Sequence, residues 1–240
     1  MTLDDLMTEH GAASWDKQMC LMELIGEKAW NLDIRRGLLT FGGSLTFPVQ
    51  LLGSEAEQAG TWLWAWANEG SNLPPELIAA SRQMQAFGQQ NSIAALTNPE
   101  NSLDDANGHL LSMIASGVCG ADAYYRGPYD GGAAFMLLTA PEVRKQADFS
   151  ITAFIRIFTE FISAFECSHR PALEAYARYK NYACAPQPDG TLLCTSPAGA
   201  SVTAAFDDLG RLSIFSATLI ADSLKGQPPA PKKPWWKLGS

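Results

Sequence analysis

The chain has 240 residues, of which 47% are hydrophobic and 18% charged, and a formal net charge of −8. This composition excludes a disordered or low-complexity chain, a collagen and a disulfide miniprotein, and the length allows one large core. The charge is unevenly placed: residues 1–224 carry 13 basic and 25 acidic side chains, a net −12, whereas Lys225, Lys232, Lys233 and Lys237 close the chain without an acid. An acidic body repels phosphate backbones, which argues against nucleic acid as a partner. It suits a small cationic ligand, a basic protein or plain solubility.

Residues 1–6 have no basic start and no apolar run, so no secretory leader is expected there. The reading is a soluble, cytoplasmic protein. The cysteines Cys20, Cys119, Cys167, Cys184 and Cys194 are odd in number, widely spaced and free of a CxxC motif, as reduced thiols would be. Cys184 and Cys194 flank a turn and could face each other, but two buried thiols are expected.

In chain order, a first helix is predicted over 14–32, with Ser14 as N-cap and an apolar face of Cys20, Leu21, Leu24 and Ile25. Strands follow over 38–41, 45–51 and 61–68. Leu45, Phe47, Val49 and Leu51 alternate with polar or turn residues, and Pro48 belongs at an edge or bulge. Pro74-Pro75 opens a helix lined by Leu77, Ile78, Met84 and Phe87. Ser102 is expected to cap another, through Leu110 and Ile114 to Gly117. A hairpin is read over 121–139, turning at residues 127–132. Residues 150–166 carry the strongest helical signal, the stripe Ile151, Phe154, Ile155, Phe158, Phe161, Ile162 and Phe165. A helix from Pro171 and strands over 190–195, 200–206 and 211–219 complete the body.

The expected class is α+β: antiparallel β-meanders with helices packed on one face, in a single domain over 1–224. Helix-then-meander occurs twice, at offsets near 150–157 residues. This suggests two related α-βββ halves, 14–140 and 148–220, although any meander gives Gly-punctuated alternation. Residues 225–240 form a Pro-rich linker and a Lys/Trp tail.

The most distinctive block is Thr61-Trp62-Leu63-Trp64-Ala65-Trp66-Ala67-Asn68. On one strand, its tryptophans would share a face, either as a core layer or as a stacking platform. Asn68 and Glu69 close that strand, and Tyr125-Arg126 lies in the next candidate segment, where Arg126 could clamp a carboxylate or phosphate. A ligand would then involve Trp64, Asn68, Glu69, Tyr125 and Arg126.

The tryptophan block, with Gln50-Leu51-Leu52-Gly53 before it and Pro74, Phe87-Gly88 and Tyr125-Arg126 after it, resembles an uncharacterised bacterial family of unknown function. The likeness covers roughly residues 15–140. It implies a bacterial cytoplasmic protein and brings no activity, substrate or catalytic residue.

No nucleophile motif, phosphate loop or cofactor fingerprint is present. His10, His109 and His169 are far apart, and Glu166-x-x-His169 is half of a di-iron pair without its second half, so neither metal nor cofactor is expected. Lys232, Lys233, Trp235, Trp236 and Lys237 read as a docking peptide for a protein partner. A membrane surface is the less favoured target. The functional expectation is a non-enzymatic interaction protein of immunity or adaptor type. The alternative is a small-molecule binder or enzyme using the tryptophan-strand end and the Arg126 loop.

Overall fold

The computed structural model describes residues 1–218. Helix α1 (Leu3–Ile25) begins eleven residues before the predicted start, because Thr2 and Asp5 form a reciprocal capping box. It ends at Gly26, and residues assigned by sequence to its last turn instead form strand β1 (Trp30–Asp33). Strands β2 (Leu38–Phe41), β3 (Leu45–Ala56) and β4 (Thr61–Trp64) follow as an antiparallel meander.

The predicted long tryptophan strand stops at Trp64. Ala65–Ala67 and Glu69–Ser71 are 3₁₀ turns, so Trp66 leaves the ladder and its N–H donates to Ser81 Oγ. The next helix, α2 (Ala79–Asn91), starts later than Pro74-Pro75 implied. Short helix α3 (Ala94–Thr97) leads into β5 (Glu100–Ser102). Ser102 therefore lies in a strand, and the cap of α4 (Gly108–Val118) is Asn107, whose side chain accepts from Leu110 N–H. The hairpin β6 (Ala123–Tyr129) and β7 (Gly132–Leu138) turns later than expected, with Gly127 and Pro128 inside the strand. Helices α5 (Pro141–Lys145), α6 (Ile151–Ala164) and α7 (His169–Tyr179) precede β8 (Ala183–Pro186), β9 (Leu192–Thr195), β10 (Ser201–Phe206) and β11 (Leu212–Thr218).

Among the described residues the strands form two antiparallel sheets, and the class is α+β. In the larger sheet, β3 is the spine: its first half pairs β2, and its second half is flanked by β4 and β7. A bulge between Leu51 and Gly53 shifts the alternation, so Glu55 joins Leu52 on the face opposite Val49. The sheet curls as a result. One face, with Trp62, Trp64 and Phe135, packs under α4 and the first half of α1. The other face, with Phe47, Val49 and Met136, packs against Leu39 and Phe41 of β2 and against Leu21 and Ile25 of α1. Gly53 is needed beneath the tryptophans, because a Cβ there would meet the Trp62 ring and the Leu63 carbonyl at 2.3 and 2.6 Å.

The smaller sheet has the order β11-β10-β9-β8, and its inner face joins α6 and α7 in the same core as Trp15 and Trp62. Each sheet follows a helix and contains a four-strand antiparallel meander, β1 to β4 in the larger and β8 to β11 in the smaller. Cys184 and Cys194 are directly opposed across β8 and β9 and form a disulfide, which corrects the expectation of two thiols. Their strands place the Cα atoms 4.2 Å apart with both side chains toward the core face. The remaining cysteines Cys20, Cys119 and Cys167 are free thiols. The Lys/Trp tail lies outside the described residues.

Candidate functional site

Arg126 sits on β6 beside Phe135 of β7, on the sheet face covered by α4. Strand alternation puts Tyr124 on that same face and Tyr125 on the other, where its ring meets Trp30 and Phe41 edge-on. Two strands from Arg126, Glu55 of β3 points to the α4 face as well. Its Oε1 accepts the Gly108 N–H at 2.7 Å, placing a carboxylate at the positive end of α4. Its Oε2 lies 3.9 Å from Arg126 Nε, and Glu57 Oε1 lies 3.6 Å from Arg126 Nη2. Both separations exceed hydrogen-bond length, so the guanidinium, with its side chain 29% exposed, is held electrostatically. Tyr129, at the end of β6, is half exposed and donates its hydroxyl to the Glu55 carbonyl.

The first turn of α4 brings His109 into this group. Its Nδ1 is 3.0 Å from the Tyr124 hydroxyl, and its ring meets Phe135 edge-on. Burial, with the Arg126 charge adding to it, pushes the His109 pKa down to about 4. Burial raises Tyr124 far above the usual phenol range. At neutral pH both groups are therefore uncharged, and the charged members are Arg126 and its carboxylates. Such an arrangement presents a fixed cation on a rigid sheet. It can recognise a carboxylate or phosphate of an incoming group.

The other sequence-predicted residues lie elsewhere. Trp64 is fully buried, stacked edge-on against Trp62, with its Nε1 donating to the Ala95 carbonyl at 2.9 Å. The cross-strand row Trp64–Gly53–Phe135–Arg126 separates Trp64 from Arg126 by three strand spacings, about 14 Å. Asn68 and exposed Glu69 continue beyond Trp64, beside α2. The structure thus brings Arg126 together with Glu55, Glu57 and His109, and does not bring it to Trp64, Asn68 or Glu69. Sequence reasoning missed Glu55 and His109. A glutamate in the otherwise uncharged run from Leu45 to Ala56 was the one available signal.

Two clefts lie away from this group. One of about 290 Å³ is lined by Glu174, Arg178, Tyr182, Cys184, Pro186 and Leu192. The second, about 240 Å³, lies between α2 and the end of α4 and includes Cys119, whose thiol is raised to about 11 by burial. His169 accepts the Leu212 N–H on its Nδ1, and His10 packs against Gly117, so the three histidines occupy separate places.

A buried polar centre joins α1 to α7. Lys180 Nζ donates to Asp16 Oδ2 at 2.9 Å and to the Asp148 carbonyl at 2.7 Å, and lies 4.4 Å from the Phe149 ring centre. The Tyr176 hydroxyl also donates to Asp16, and burial followed by that carboxylate raises its pKa. All of these groups are mutually satisfied, which marks a structural clasp.

A family model for a family of unknown function, DUF6882, matches residues 4–141. The chain belongs to the DUF6882 family. The match contains the larger sheet, α1 to α4 and the Arg126 group, while α6, α7 and the smaller sheet lie beyond it. No curated protein and no solved structure matches the chain. In this DUF6882 chain, no helix among the described residues is long and apolar enough to cross a membrane.

Proposed function

We infer that this DUF6882 chain is a non-enzymatic interaction protein of immunity or adaptor type, acting in the bacterial cytoplasm. The Arg126 hairpin carries the reading. A partly exposed guanidinium, restrained by Glu55 and Glu57, lies on the same strand as half-exposed Tyr129. Arginine and tyrosine on a rigid scaffold are the side chains that concentrate binding energy at protein interfaces. The unknown protein partner would offer a carboxylate to Arg126. The basic, aromatic segment Lys232, Lys233, Trp235, Trp236 and Lys237 would supply a second contact on its Pro-rich arm.

The test is affinity capture with the full chain, followed by reconstitution of the captured protein as a purified one-to-one complex. Arg126→Ala and deletion of residues 226–240 should each weaken that complex, with unchanged unfolding midpoints. Binding that ignores both changes would refute the reading. A small anionic molecule that raises the midpoint of the wild type but not of Arg126→Ala would favour a ligand-binding protein instead.

A further inference from the structure

The smaller sheet ends in β11, which pairs with β10 on one side only among the described residues. Natural edge strands are usually guarded by charge, proline or bulges. From Leu212 to Thr218, β11 has neither a charge nor a proline, and beyond the bulge opposite Ala205 and Phe206 its pairing is regular. Its outward face continues an uncharged surface. Register places Ile214 with Ala205, Ser216 with Thr203 and Leu193, and Thr218 with Ser201 and Thr195. Ile214 is 59% exposed. On the inner face, Phe215 is half-buried against Phe154 and Phe158 of α6, and Ile155 and Ile162 of that helix are also half-buried.

We propose that β11 pairs antiparallel with β11 of a second copy of this chain, about a two-fold axis at Phe215, joining two four-stranded sheets into one. Ile214 then faces Ser216 of the second copy, and the two Phe215 rings meet. In this register Phe215 and Ala217 stay on the inner face and Ile214, Ser216 and Thr218 on the outer.

Charge selects the occupant. Two bodies of net −12 repel unless they meet through a charge-free strip, and β11 is such a strip. A basic partner would find no carboxylate along it. The position of the remaining chain agrees. Residues 219–240 begin where β11 ends, and the antiparallel register sets that point beside the Asp207–Gly210 turn of the second copy. In that turn Asp207 is already bonded to Arg211, while Asp208 is exposed. The 219–240 segment holds four lysines and one aspartate, a charge opposite to that of the turn.

The experiment is sedimentation equilibrium of the full chain over about 1 to 100 µM, a range that spans ordinary homodimer affinities. The wild type should show a concentration-dependent dimer. The double variant Ile214→Lys, Ser216→Lys should raise the dimer Kd by at least about tenfold, since like charges then face each other across the axis. Both positions are exposed, so its thermal midpoint should stay near that of the wild type. A wild type monomeric throughout, or a lysine variant that dimerises as well as the wild type, would overturn the proposal. A chain that dimerises only after removal of residues 219–240 would also overturn it, by assigning the edge to the chain's own segment.

Discussion

Lys180→Met removes one charge from the clasp between α1 and α7 while keeping the length of the side chain. In the wild type, Lys180 is 1% exposed and Asp16 is 4% exposed. After substitution, Asp16 retains one phenolic hydrogen bond, from Tyr176 at 3.2 Å. Removing one partner of a buried ion pair costs about 3–5 kcal/mol, because the other charge stays behind without compensation. The Asp148 carbonyl also loses its 2.7 Å donor, adding about 1 kcal/mol. The double variant Asp16→Leu, Lys180→Met leaves no orphaned charge, while the Tyr176 hydroxyl and the Asp148 carbonyl each lose one partner. It should lie within about 1–2 kcal/mol of the wild type, so the two substitutions couple by several kcal/mol. Urea unfolding followed by tryptophan fluorescence measures this through the transition midpoint at constant slope. A single-variant loss below about 1 kcal/mol, or strictly additive losses, would refute the view that this pair clasps the fold.

Trp64→Ala should lower stability by about 3–5 kcal/mol, as expected of a fully buried aromatic that also loses its bond to Ala95; an unchanged thermal midpoint would place Trp64 at the surface. His109 is held near 4 in the folded chain, below the ordinary 6.5, so the unfolded chain takes up its proton first as the pH falls. Stability from this group is complete above about pH 6.5 and is lost toward pH 4, by roughly 2–3 kcal/mol. His109→Gln should flatten that part of the stability–pH curve, and an unaltered slope in urea midpoints would exclude the assignment. Reduction of Cys184–Cys194, which are ten residues apart, should cost about 2–3 kcal/mol by loop entropy. Comparing thermal midpoints with Cys184→Ala, Cys194→Ala, with and without reductant, checks this, and a reductant effect of equal size in both proteins would rule it out.

Strong periodicity made α6 readable, since Ile151, Phe154, Phe158 and Phe161 are buried as their spacing implies. The start of α1 was not readable, because its first turns mix Asp4, Asp5, Glu9 and His10 with core contacts made by Leu6, Met7, Gly11 and Ala12. Strand β1 was read as helix, since only its pairing with β2 favours extension over the helical pattern before it. Trp66 was assigned to a strand on composition, whereas its backbone N–H is fixed by Ser81, a side chain fifteen residues on. Arg126 stood out through its tyrosine neighbours and the nearby turn. Glu55 and His109 reach it only through the β3–β7–β6 register and the docking of α4, contacts that span 53 residues in the Glu55–Gly108 case.

The placement of α1 has a consequence for how this chain can be made. The helix leaves the ribosome well before the surfaces that cover it, α4 at 108–118, α6 at 151–164 and α7 at 169–179. Nascent chains that stop near residue 141 hold the matched family region but lack Tyr176 and Lys180, the partners of Asp16, and Phe165, the ring packed against Trp15. Such intermediates present a buried-type aspartate and an indole to solvent together, the kind of surface that chaperones hold and that otherwise aggregates. A fragment ending there should collect in inclusion bodies, whereas one that continues through the smaller sheet to residue 218 should stay in the soluble fraction.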